Sequence, residues 1–130
     1  MSVSLSYETR GPLFTAGRVA TELRRAVAEG VNDAGAATVT AVQAELSNVL
    51  DNPTGYYRSQ ITHTLRRDEA EAFIGDDRSV KGPWLEGTSS RNQTSRFRGY
   101  STFRRTMQRM AGRAPGIVDR RVAAAVRRLG

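Results

Sequence analysis

The chain has 130 residues, with 38% hydrophobic and 25% charged positions and a formal net charge of +7. Those fractions are ordinary for one globular domain that buries about two-thirds of its unfolded surface, which excludes a chain disordered throughout. There is no cysteine and a single histidine, His63, so disulfide scaffolds, thiolate metal sites and cysteine nucleophiles are excluded, and an enzyme is the disfavoured class.

Residues 2–8 alternate, with Val3, Leu5 and Tyr7 against Ser4, Ser6 and Glu8, which predicts a short strand that Gly11-Pro12 ends. A long helix is predicted over 16–50. Val19, Leu23, Val27, Val31, Ala34, Thr38, Val42, Leu46 and Val49 recur every three or four residues and draw one apolar stripe. Thr15 is the expected N-cap, with Phe14 and Val19 as a hydrophobic staple. Gly30 and Gly35 each cost about 1 kcal/mol inside a helix, so a bend or close packing is expected there. At roughly 1.5 Å per residue the rod is longer than a compact monomer needs, and part of it is expected to serve a neighbouring chain. Asp51 to Gly55 supplies the stop.

Alternation returns from Tyr57 to Leu65 and again over Ala70, Ala72 and Ile74, predicting a β-hairpin over 56–75 with a turn at Arg67-Asp68. Val80 to Leu85 reads as one more extended segment leading into a basic loop, together 80–100. The stretch from Gly87 to Gly99 is long and polar for a mere connection and is a candidate functional loop. Two C-terminal helices follow over 102–112 and 116–129. Phe103, Met107 and Met110 form the first stripe, and Val118, Val122, Ala125, Val126 and Leu129 the second, with Gly112 and Pro115-Gly116 between. The fold class expected is α+β: a long N-terminal helix on a small antiparallel sheet, then the basic loop and C-terminal helices, in a single domain.

Charge is segregated along this plan. Residues 1–65 carry five arginines against six acids, a net of −1. Residues 66–130 carry fifteen basic groups against seven acids, a net of +8, and from Arg91 onward eleven arginines face only Asp119. Lys81 is the only lysine. Guanidinium groups keep their charge on burial and pair bidentately with carboxylate or phosphate, so an acidic protein surface or nucleic acid is the expected partner.

No constellation supports catalysis. His63 falls on the inward side of a strand and reads as structural or interfacial. The acids Asp68, Glu69, Glu71, Asp76 and Asp77 lack the spacing of a calcium loop. No metal or other cofactor is expected, and no phosphate-loop, dinucleotide or nucleophile-elbow motif occurs. Asn92-Gln93-Thr94 matches the glycosylation sequon, which has no meaning without secretion. No apolar run approaches the ~20 residues of a membrane span, and the first eleven residues lack a secretory or transit pattern, so a non-membrane, cytoplasmically made protein is expected.

The strongest chemical feature is Arg96-Phe97-Arg98-Gly99-Tyr100, continuing to Phe103-Arg104-Arg105. Arginines interleaved with aromatics can stack on bases while neutralising phosphates, so a small nucleic-acid-binding module using 96–105 is one reading. Trp84 is either a core plug or an interface anchor. From Gly87 to Val118 there is no acid, so the guanidiniums of Arg91, Arg96, Arg98, Arg104 and Arg105 must find carboxylates on other segments or other chains. If on this chain, the nearest are Asp76, Asp77 and Glu86.

Lys81-Gly82-Pro83-Trp84-Leu85-Glu86-Gly87-Thr88, then Ser90-Arg91-Asn92, then Arg96 to Tyr100 and Phe103-Arg104-Arg105, resembles the small neck or tail-completion proteins of long-tailed bacteriophages. Lys81 stands where an aromatic is common in that family. The resemblance implies a structural virion protein at the head–tail joint, of tail-terminator, stopper or tail-completion type, that assembles in the host cytoplasm. It implies a homo-oligomeric ring, usually a hexamer, between a neighbouring connector ring (adaptor or stopper) and the tail-tube protein, with non-specific contact to DNA in the channel. In that frame the protein-interface residues are Trp84, Arg91, Arg96, Phe97, Arg98, Tyr100, Arg104 and Arg105.

Overall fold

A computed structural model describes residues 2–11, 17–49, 56–76, 81–89, 92–93 and 99–129. They form β1 (Ser2–Ser6), α1 (Gly17–Val49), α2 (Tyr56–Ser59), β2 (Thr62–Arg66), β3 (Glu71–Gly75), α3 (Lys81–Glu86) and α4 (Thr102–Leu129). The architecture is α+β, with α1 and α4 against a three-stranded antiparallel sheet of order β1-β3-β2. In that register Val3 and His63 flank Ile74, and Leu5 and Leu65 flank Ala72. The period-two pattern thus turns these six side chains toward the helices and the Ser and Thr positions of β1 and β2 outward. On the outer face Phe73 sits between Ser4 and Thr64, and the Arg66 guanidinium lies 4.9 Å from its ring centroid.

The predicted stripe of α1 is the spine of the core: Leu23, Val27, Val31, Ala34, Thr38, Val42 and Leu46 are all buried. Among the described side chains of the stripe Val19 is the exception at 42% exposed, because the contact with α4 begins at Leu23 and Ala26, opposite Ala125; the side chain of Val49 lies outside the described residues. Thr15 and Phe14, the expected cap and staple partner, lie outside the described residues. Hydroxyl residues are accommodated within α1 by bonding back one turn: Thr38 Oγ1 donates to Ala34 O at 2.8 Å, and Thr21, Thr40 and Ser47 do the same to Gly17, Ala36 and Gln43. The two interior glycines serve close packing. A Cβ on Gly30 would come 2.8 Å from Val118 Cα, and one on Gly35 would come 3.0 Å from His63 Cδ2.

The core runs along the helix pair, which is antiparallel. Leu46 and Val42 cluster with Ile61, Ile74 and Phe103. Val27 and Val31 cluster with Ala72 and Val118. Leu23 and Ala26 meet Ala125 beyond the sheet.

Four expectations are corrected. The C-terminal region is one helix of 28 residues with Pro115 inside it, not two helices over 102–112 and 116–129. Proline removes one ladder bond and costs about 3 kcal/mol. Continuity survives because Phe103 on one side and Val118 and Ala125 on the other all bury against the same rod. Val126 is 52% exposed, since the buried face follows Val118, Val122, Ala125 and Leu129 and passes it by. The hairpin does not begin at 56. Residues Tyr56–Ser59 form a helical turn instead, with the Arg58 carbonyl accepting from Ile61 N–H at 3.2 Å and from Gln43 Nε2 at 3.2 Å. Lastly, Lys81–Glu86 is a short helix rather than an extended segment. Pro83 is tolerated there because the N–H groups of a first turn have no intrahelical partner, and six residues are too few for either periodicity to assert itself.

Candidate assembly interface

The Arg-rich segment leaves the frame after α3 and re-enters it before α4, and both events occur at one place. Tyr100 N–H donates to Leu85 O at 2.6 Å and Ser101 N–H to Glu86 O at 3.1 Å. Gly99 lies so close to Gly87 that a Cβ on it would fall on the Gly87 backbone and 2.6 Å from the Glu86 carbonyl carbon. Both glycines have positive φ, +102° and +89°, which glycine adopts without steric cost. The segment between them therefore begins and ends at one place on the frame.

Glu86 secures this base to α4. Ser101 accepts the first helical bond, from Arg105 N–H at 2.9 Å, and so stands at the N-cap. Its own hydroxyl, however, turns to Glu86 O at 3.4 Å. The capping is done instead by the Glu86 carboxylate, which accepts from Phe103 N–H at 2.8 Å and from Arg104 N–H at 3.1 Å. A carboxylate at a helix N-terminus meets both the orphan N–H groups and the positive end of the helix dipole. Here it does so while 7% exposed, where such bonds are strong. Ser101 at φ +53° stores about 1–2 kcal/mol of backbone cost, which these contacts offset. Inside the loop, Asn92 is buried, its Oδ1 accepting from Ser89 N–H and its N–H donating to Ser89 O, both at 3.0 Å.

Two ion-pair sets lock α4 along α1. Arg105 and Arg109 both reach Glu45, at 3.0 and 3.4 Å. Arg121 pairs with Asp33 at 2.7 Å through Nε and at 3.2 Å through Nη2, and with Glu29 at 3.4 Å. Hydrogen bonding to Asp33, then its charge, holds the Arg121 pKa above its ordinary value. Beside them, Tyr7 OH donates to Asp119 Oδ1 at 3.1 Å. Burial, then the hydrogen bond and charge of Asp119, raises the Tyr7 pKa.

Of the residues expected at the interface, Tyr100, Arg104 and Arg105 gather at the closed base of the loop. Arg105 finds its carboxylate on another segment of the same chain, Glu45. Arg91, Arg96, Phe97 and Arg98 lie outside the described residues, as does the side chain of Trp84, whose backbone belongs to α3. Phe103, at 2% exposed, belongs to the core and has no face to offer a base. Asp76 is buried and Asp77 lies outside the described residues.

His63 is structural: its Nε2 lies 3.0 Å from Asn32 Oδ1 and its ring packs over Gly35. Among the described residues there is no group of three metal-ligating side chains and no helix long and apolar enough to cross a membrane. Sequence reasoning missed the capping role of Glu86, because a cap supplied from fifteen residues upstream has no local pattern. It equally missed the Gly87–Gly99 contact. Comparison of the chain with protein-family models, curated proteins and solved structures finds no match.

Proposed function

We propose that this chain is a structural protein of the head–tail connector, or neck, of a long-tailed bacteriophage. It forms a hexameric ring between the portal-side assembly and the tail tube, in a terminator or completion role. The observation that carries the reading is the loop base. The 81–105 stretch that resembles the neck proteins coincides with a segment closed by Gly87 against Gly99 and clamped to a 28-residue helix by Glu86. A base so anchored ties the arginine-rich segment of the sequence to a rigid frame at one point, and a repeated ring contact requires such a fixed attachment. In a cyclic ring each subunit offers two different faces, so the loop's partner surface lies elsewhere on the neighbouring copy or on the adjoining ring. Close interfacial charge pairs of this kind are worth a few kcal/mol when desolvated.

The test is the double change Arg96→Ala and Arg98→Ala in the phage. The reading expects a subunit with unchanged melting that leaves filled heads and free tails unjoined in electron micrographs. A variant that loses thermal stability as an isolated subunit would make the loop intramolecular support, and a single copy per virion would exclude the ring. The nucleic-acid module built on 96–105 is disfavoured, since Phe103 is buried and Arg105 is engaged by Glu45.

A further inference from the structure

The sheet is narrower than the pair of helices it covers. α1 packs on β2 and β3, while α4 meets the sheet chiefly at β1. With packed helices about 9 Å apart and strands about 4.8 Å apart, α4 lies roughly between β1 and the place a fourth strand would take. A cleft of about 190 Å³ opens there, lined by Leu5 of β1, Val31 and Ala34 of α1, and Ala111, Ala114 and Pro115 of α4. It is smaller than the ~300–1,000 Å³ of a small-molecule pocket and suits an apolar side chain or two.

The free edge of β1 borders this cleft. Tyr7 N–H donates to Ala70 O at 3.1 Å. By the alternation of an antiparallel ladder, Leu5 and Val3 also turn their backbone groups toward β3, and Ser4 and Ser6 turn theirs outward. Those outward groups bond to no described residue. Sheet edges are commonly guarded by a charge, a proline or a bulge. β2 ends in Arg66 and Arg67, whereas Ser2 to Tyr7 carries neither charge nor proline. This edge is open to pairing.

We infer that the edge and the cleft together take an extended, acidic segment of a partner protein as a fourth strand. Its main chain bonds the outward N–H and C=O groups of Ser4 and Ser6, and its inward side chains, one residue in two, enter the cleft. Charge sets the composition of the segment. Arg104, seven residues before Ala111 and so on the same face of α4, is exposed and has no ion pair among the described residues. Asp119, the only acid of that helix, already accepts from the Tyr7 hydroxyl. A second copy is the poorer occupant, because pairing β1 with β1 brings two arginine-rich α4 helices side by side. The inference concerns β1 and the middle of α4, not the loop at 87–100, and requires nothing of the connector reading.

The experiment probes the full chain, at physiological salt, with an array of end-capped peptides of about eight residues in which Leu, Ile, Val or Phe alternates with Asp or Glu. A matching array carries Lys or Arg instead. The tightest acidic peptide is then measured by fluorescence anisotropy, with a micromolar Kd expected. Amide hydrogen exchange at Ser4 and Ser6 is expected to slow at least tenfold when the peptide saturates the protein, with Leu5 and Tyr7 protected throughout. Ser4→Pro removes one outward N–H and leaves the ladder to β3 intact, so the Kd is expected to rise about tenfold while Ser4→Ala binds as the wild type does. Ala111→Leu, which fills the cleft without touching β1, is expected to weaken binding as well and keeps the test decisive if the proline variant fails to fold. The Arg96→Ala, Arg98→Ala protein is expected to bind normally. No acidic peptide binding below about 1 mM, equal binding by the basic array, unchanged exchange at Ser4 and Ser6, or an Ala111→Leu protein with the wild-type Kd would each overturn the inference. So would a chain that sediments as a dimer and becomes monomeric on Ser4→Pro, which would give the edge to a second copy.

Discussion

Replacing Glu86 should unfasten the N-terminus of α4. In Glu86→Ala the Phe103 and Arg104 N–H groups lose their acceptors at 2.8 and 3.1 Å. Phe103 is 2% exposed and Glu86 is 7% exposed, so water replaces the carboxylate poorly. At about 1.5 kcal/mol for each bond to a charged acceptor, the loss is about 3 kcal/mol. Glu86→Gln keeps the Oε1 acceptor but places an amide NH2 opposite the second N–H, so it loses about half as much. For a domain of this size 1 kcal/mol corresponds to roughly 4 °C in Tm, giving falls of about 12 °C and 6 °C. Thermal unfolding followed by circular dichroism at 222 nm reads both. An Ala variant melting within 2 °C of the wild type would refute the capping argument. Equal losses in the two variants would show that charge alone, not the pair of bonds, is what counts.

Glycines in the two long helices should respond with opposite signs. Gly30→Ala forces a Cβ to 2.8 Å from Val118 Cα and is expected to lower stability in urea titrations despite alanine's better helix propensity. Gly112→Ala, where nothing lies within 4 Å, is expected to gain about 0.5–1 kcal/mol. The phenol of Tyr7 has a raised pKa in the fold, so its neutral form is favoured there. Its contribution is complete below the unfolded value near 10 and is lost as pH rises through the folded one. Unfolding measured between pH 9 and 11.5 should therefore show a steeper loss for the wild type than for Tyr7→Phe, and parallel curves would count against the Asp119 contact.

Long periodic segments were legible in the sequence because their signal sums over many residues. The α1 stripe from Leu23 to Leu46 and the inward faces of all three strands follow from spacing alone. Gly30 and Gly35 were correctly suspect, since their cost in a helix needs a reason. The failures are short or non-local. Tyr56–Ser59 and Lys81–Glu86 are too brief to display a period. At Pro115 a local rule yielded to packing on both sides of it, and Val126 fits a 3.6-residue stripe that the observed contact with α1 does not follow. At the loop base, alternating charge and aromatic residues suggested a surface. The features that fix it (Glu86 on Phe103 and Arg104, Gly99 on Gly87) join residues 12 to 18 positions apart that no window compares.

The closure of the loop at Gly87 and Gly99 also separates what may vary from what must not. Since the chain departs and returns at one point, the frame is indifferent to the number of residues in between. The entropy of closing a segment grows only with the logarithm of its length, so doubling the eleven residues from 88 to 98 would cost about 0.6 kcal/mol. That is less than either hydrogen bond made by Glu86. Asn92, buried and bonded to Ser89, belongs to the frame, and beyond it residues can be added or removed while both glycines, Glu86 and the helix pair beneath stay as they are.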